Sequence, residues 1–365
     1  MRINEILLEG GWDSVVTQNT TITPAVVPKI IRVIQRFVDG FNAYADIKKW
    51  PNIKIGRPTG SSSHWQTDLK INPATTYGDV DLQIEVPVLD EYRNAPYSQL
   101  QNYWHSKWQE FIERTTPEYI HADTIRQNEK GKSQFGGHLI VDISDKADGS
   151  LYSQVDLMPH ANPIWGRARV TPERGIKGLL HGNMFSVLGE LLDYSIQHAG
   201  VQYKERDNKR SNFTTTRTNY VLKTLSDNPH TFIRDIFNNE FREQHTAKEP
   251  KIDPLLKQHP GVSATVETNP ESAKIKDLIA GIHGLARSFA LNNLYGNGHL
   301  SRYASSEQFL TDFWHRYEAK AQSDIASKKR DKAASPVAVE KAELDRNKIR
   351  TGLEKVRAIW NEYSR

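Results

Sequence analysis

The segment DVDLQIEV, residues 79–86, constrains the fold of this chain more than any other. Side chains of a strand point alternately to its two sides. Val80, Leu82, Ile84 and Val86 therefore share one face, and Asp79, Asp81, Gln83 and Glu85 share the other. The apolar face calls for a packed layer behind the sheet. The polar face carries two carboxylates one strand step apart. Close carboxylates repel unless a cation or a proton lies between them, so the pair reads as a hard-metal site for Mg²⁺ or Mn²⁺. The competing reading is an antiparallel strand with a solvated polar face.

The flanking pattern predicts a helix within 24–44, where Ile30, Ile31, Val33, Ile34, Phe37, Val38 and Phe41 recur at helical spacing. A strand at NIKIG follows, then the aspartate strand, then a helix over 98–114. Two strands, 136–144 and 151–159, are joined by the turn-rich DKADG and read as antiparallel neighbours. A helix over about 176–197 closes this part. Beyond Tyr203 a polar hairpin is expected, then a helix capped by Asp227 or Asn228 before Pro229, and a long loop over 247–271. Helices resume in SAKIKDLIAGIHGLARSFAL and SSEQFLTDFWHRYEAKAQ; a hydrophilic hinge at 323–336 precedes a last helix over 337–363. The expected class is α+β: a mixed sheet with flanking helices and a mainly helical C-terminal part. Its expected segments are 1–50, helical; 51–200, the catalytic core; 201–305, an accessory region; and 306–365, basic helices.

Metal-assisted phosphoryl chemistry needs a third carboxylate from a neighbouring strand. Asp156 in QVDLM repeats the VDL of residues 80–82, whereas its rival Asp142 in LIVDIS stands near a strand end, so Asp156 is preferred. A phosphate cradle is offered by TGSSS, in which Gly60 allows close backbone approach, Ser61 and Ser62 donate hydroxyls, and a helix starting near Ser62 aims N–H groups at an anion. Lys177 and His181, one helical turn apart, are candidates to face a triphosphate. EKGKSQ is rejected as a P-loop, because Arg126 stands where the first glycine is needed. No HExxH zinc pattern and no GxSxG elbow occurs.

Gly60 and Ser61, followed by Asp79 and Asp81 spaced by one and by a third aspartate on a later strand, resemble the DNA polymerase β-like nucleotidyltransferase superfamily. That group includes poly(A) polymerases, CCA-adding enzymes, oligoadenylate and cyclic-dinucleotide synthases, and antibiotic or protein nucleotidylyltransferases. The resemblance spans roughly 52–159 and implies an NTP donor, ATP among them, and two Mg²⁺ ions, with Mn²⁺ as a substitute. It implies that Gly60 and Ser61 hold the β- and γ-phosphates, that Asp79 and Asp81 bind metal, and that Asp156 completes the site beside the attacking hydroxyl. Eighteen residues separate Gly60 from Asp79, more than in compact members, so LKINPATTYG is expected as an extended loop, as in a divergent or viral branch.

The whole chain carries a net charge of only +4, but residues 313–365 hold 13 Lys and Arg against 8 Asp and Glu. That basic part also carries Trp314, Tyr317, Trp360 and Tyr363, so RNA is the expected acceptor, contacted through its backbone and stacked bases. Small-molecule, nucleotide or protein acceptors, and a catalytically silent nucleic-acid-binding or assembly relative, are the alternatives. The absence of cysteine excludes disulfides, thiolate zinc sites and cysteine nucleophiles. No apolar run nears the roughly 20 residues of a membrane helix, and the first residues lack a signal-peptide core. A cytoplasmic protein with no membrane contact is expected.

Overall fold

A computed structural model of the protein describes residues 22–364 apart from 93–96, 122–123, 128–132, 145–150, 172, 174–175, 198–199, 207–219, 230, 237–238, 240–274, 292–299, 301 and 328–335. The chain divides into two compact units, Met1–Pro163 with Ala333–Lys341, and Ile164–Lys332 with Ala342–Arg365.

In the first unit, helix α1 (Val27–Lys48) starts on a proline in its first turn and ends where Lys49 takes a left-handed φ of 56°. Its stripe of Ile30, Ile34, Phe37, Val38, Phe41 and Ala45 is buried. Strand β1 (Lys54–Pro58) leads through a 3-10 turn, Gly60–His64, into the short helix α2 (Trp65–Ile71). Residues 69–71 of the expected loop are thus the end of a helix, and only 72–79 are irregular. There follow β2 (Val80–Glu85), α3 (Tyr97–Thr115), the small pair β3 (Arg126–Gln127) and β4 (Ser133–Gln134), then β5 (His138–Asp142) and β6 (Tyr152–His160).

The main sheet has the order β1-β2-β6-β5, with β2 parallel to β6 and the outer pairs antiparallel. Val80, Leu82, Ile84, Leu139, Val141, Val155 and Leu157 pack in one core with Phe37 and Phe41 of α1 and Trp104, Trp108 and Phe111 of α3. One face of the sheet is thereby closed by two helices, which leaves chemistry to the other. Gln83 departs from the expected solvated face: it is buried, and its Nε2 donates to the Pro163 carbonyl at 2.8 Å.

The second unit opens with α4 (Pro163–Val170) and α5 (Gly178–Leu192). α5 is apolar almost all round, the mark of a helix surrounded by protein. It stops at Asp193, with a left-handed φ of 55°, and the chain becomes β7 (Tyr194–Gln197). The helix expected to reach 197 is corrected on this point: Tyr194 and Ile196 are inward residues of a strand. β7 pairs with β8 (Gly200–Arg206), which pairs with β9 (Tyr220–Ser226), so the expected hairpin exists inside a three-stranded antiparallel sheet. The next helical run covers 232–236, and the Ser226 and Thr231 hydroxyls donate to Asp235 at 2.6 and 2.7 Å. Helices α6 (Ile275–Leu291), α7 (Ser306–Ser327) and, from Ala342 onward, α8 (Pro336–Tyr363) complete the unit, their apolar stripes joining those of α5 and β7 in a second core. The expected loop 247–271 lies outside the described residues. The expected hinge begins too early, since α7 continues to Ser327 with Ile325 buried.

α1 belongs to the same core as the main sheet, and α5 packs with the C-terminal helices.

Candidate active site

The parallel pairing of β2 with β6 sets Asp81 directly opposite Asp156, and the antiparallel pairing of β6 with β5 sets His138 opposite Asp156. Three polar side chains thus form a row across three adjacent strands, on the face turned away from α1 and α3. Residues opposite each other on neighbouring strands have Cβ atoms about 4.5–5.5 Å apart. Burial pushes the Asp81 carboxyl up to about 6; the charge of Asp156 adds to the rise and His138 opposes it. His138 Nδ1 lies 2.6 Å from Asp156 Oδ1, and Gln154 Nε2 donates to the same oxygen at 2.9 Å.

The turn after β1 is tied to this row. The Thr59 N–H donates to the Asp81 carbonyl at 2.7 Å. Gly60 follows with φ +58°, and a Cβ there would overlap Asp81 Oδ2. Only glycine meets both demands, a left-handed backbone and contact with the carboxylate. Ser61 is exposed. Ser62, expected among the phosphate donors, is buried and gives its hydroxyl to the Thr59 carbonyl at 3.0 Å, so its role is to close the turn. Ser63 does the same toward the Gly60 carbonyl at 2.7 Å.

Asp79 stands one residue ahead of β2, just after a bend at Gly78. Among the described residues no group of three or more His, Asp or Glu side chains is arranged to hold a metal ion, so Asp79, Asp81 and Asp156 are not a ready-made cage. The donor chemistry nevertheless fits Mg²⁺, which is commonly held by one or two carboxylates, waters and substrate phosphates instead of an all-protein cage. Asp142, the rival third carboxylate, is four positions along β5 from His138, opposite Tyr152, and its Oδ1 accepts the Ser144 N–H at 2.8 Å. Asp156, not Asp142, is the neighbour of Asp81.

Lys177 and His181 belong to the second unit. Lys177 Nζ pairs with Asp345 of α8 at 2.9 Å, and His181 is buried, its pKa lowered to about 4 by burial and then by Arg169. Lys177 thus meets a carboxylate within its own unit, and the His181 ring is enclosed in a core. The C-terminal aromatics expected to stack on bases belong to a core. Tyr317 and Trp360 are buried, while Trp314 and Tyr363 pack against the same core. Of the cations on α8, Arg346 pairs with Glu343 and Arg357 with Glu318.

His138 and Gln154 were not singled out from sequence, although both lie on β5 and β6 at positions of the same face as Asp156. Among the described residues, no helix is long and apolar enough to cross a membrane. No family model matches the chain, and no curated protein matches it in sequence.

Proposed function

We propose that this chain is a Mg²⁺-dependent nucleotidyltransferase with a DNA polymerase β-like active site. The observation that carries the reading is the in-register pair Asp81 and Asp156 on adjacent parallel strands, with Gly60 held left-handed against the Asp81 carboxylate. In the proposed reaction an acceptor hydroxyl gives up its proton to solvent, its oxygen bonds to the α-phosphorus of an NTP, the bond from that phosphorus to the bridging oxygen breaks, and pyrophosphate leaves. Asp81 and Asp156, with Asp79, would hold Mg²⁺ or Mn²⁺, which when bound neutralises charge on the phosphates. Gly60 and Ser61 would border the β- and γ-phosphates, where glycine lets backbone approach an anion. The protein's share is mainly positioning and charge complementarity, as is usual in phosphoryl chemistry.

The proposed acceptor is the 3′ end of an RNA. Edge strand β1 supports this choice, because Lys54 and Arg57 are exposed on the strand that runs directly into the Gly60 turn. The test is incubation of the purified chain with each labelled NTP, Mg²⁺ and a panel of RNAs, with Asp81→Asn and Asp156→Asn as controls. Mg²⁺-dependent extension of RNA, lost in both variants, is the expected result. Pyrophosphate release without RNA would transfer the proposal to a small-molecule, nucleotide or protein acceptor. No transfer from any NTP with Mg²⁺ or Mn²⁺ would overturn it in favour of a silent relative.

A further inference from the structure

The carboxylate of Asp156 is asymmetrically occupied. Its Oδ1 faces two donors, His138 Nδ1 at 2.6 Å and Gln154 Nε2 at 2.9 Å, one from each strand of the β5–β6 hairpin. A carboxylate oxygen accepts two such bonds and is then nearly saturated, while among the described residues no hydrogen bond reaches Oδ2. A carboxylate oxygen accepts and does not donate, so this contact calls for the tautomer of His138 with its hydrogen on Nδ1. His138 is itself anchored from behind. The backbone before it turns through Gly137 at φ +88°, and the His105 ring of α3 lies so close that a Cβ on Gly137 would come 2.6 Å from its Nε2. The Gly137 carbonyl also accepts the Leu157 N–H at 2.8 Å, which locks the hairpin one residue after Asp156.

We infer that His138 is a positioning residue for Asp156: with Gln154 it pins Oδ1, so that Asp156 serves a divalent cation as a one-oxygen ligand through Oδ2. The inference rests on the reading of Asp81 and Asp156 as metal-binding carboxylates. An unpinned aspartate on a strand face rotates about its last torsion and offers either oxygen; a pinned one presents a single oxygen toward a fixed point. Donors behind a metal ligand orient it, and their loss typically costs about 10–100-fold in metal affinity.

The experiment is titration of Mn²⁺ into the full-length chain, followed by the electron paramagnetic resonance signal of free Mn²⁺, for wild type, His138→Leu, His138→Asn and Gln154→Leu. Asn is the informative replacement, because its amide nitrogen stands close to where Nδ1 of histidine stands. His138→Leu and Gln154→Leu are each expected to weaken Mn²⁺ binding about tenfold or more, with His138→Asn restoring affinity close to wild type. The His138 side chain is 42% exposed, so these variants are expected to fold, and a thermal melt of each checks this. Wild-type affinity in His138→Leu, or equal losses in the Leu and Asn variants, would overturn the positioning role. Asp81→Asn and Asp156→Asn run alongside: if both bind Mn²⁺ as the wild type does, the metal site fails and takes the inference with it. If both lose binding while His138→Leu does not, only the inference fails.

Discussion

A buried carboxylate raised by its neighbour destabilises the apo protein, and Asp81→Asn tests whether this one does. The Asp81 carboxyl is moved from an ordinary 3.8 to about 6, first by burial and then by Asp156. A pKa raised in the folded state favours the protonated form, so its contribution is present below pH 3.8 and is lost as pH rises through 6. Two units correspond to about 3 kcal/mol against the charged folded form above pH 6. Asn keeps the volume and removes the charge, at some desolvation cost of its own, so the expected net gain is about 1–3 kcal/mol. That gain corresponds to a rise in Tm of roughly 2–4 °C per kcal/mol for a unit of this size. The assay is urea unfolding of wild type and variant in a chelator, across pH 3.5 to 8.5. The gap between them should be small at pH 3.5, open between 4 and 6 and stay level above. Saturating Mg²⁺ should narrow it, because an ion that binds only the folded wild type stabilises that state. The reasoning is refuted if the variant is no more stable than wild type at pH 8, or if an equal gap persists at pH 3.5.

Gly60→Ala should keep the fold by circular dichroism, with about 1–2 kcal/mol of left-handed strain. It should also lower kcat/KM for transfer about 100-fold by displacing the Asp81 carboxylate. Asp156→Asn should cost about 10²–10³-fold in transfer, whereas Asp142→Asn, at the far end of β5, should stay within a few-fold of wild type; steady-state kinetics on both separates the two. His181 bears on acid stability. An unfolded histidine takes a proton near 6.5 and this one only near 4, so stability should fall as pH drops through that window, by on the order of 3 kcal/mol. His181→Leu should flatten the decline, as read by urea midpoints at pH 7 and pH 4.5.

The core of the first unit was readable because its periods are unambiguous: two in 79–86 and 3.6 in α1. The repeated VDL likewise pointed to Asp156, and the parallel register sets it opposite Asp81. His138 was recoverable in principle. A hairpin turning in the middle of DKADG pairs positions equidistant from residue 147, and 138 and 156 are such a pair. The stretch LLDYSIQ was ambiguous because Leu191, Leu192, Tyr194 and Ile196 satisfy a helical stripe and a strand alternation equally well, and only the left-handed Asp193 separates them. The unit boundary left no mark, since β6 passes into α4 within three residues. The C-terminal aromatics misled for a general reason: Trp and Tyr serve cores and stacking surfaces alike, and composition does not say which.

The packing of the sheet and the assembly of the site are specified by the same register. Shifting β6 by one residue against β2 would turn Asp156 and Gln154 into the core of α1 and α3 and bring Val155 and Leu157 to the open face. Burying a carboxylate without a partner costs several kcal/mol, and exposing two apolar side chains forfeits about 1.5–3 kcal/mol each. The apolar residues at 80, 82, 84, 155 and 157 therefore do more than hold the sheet to its helices. By excluding every odd slip, they oblige Asp81, Asp156 and His138 to share one face, on which the register then sets them in a row. The hydrophobic face thus keeps two like charges together on the open side of the sheet, because every odd slip would bury one of them.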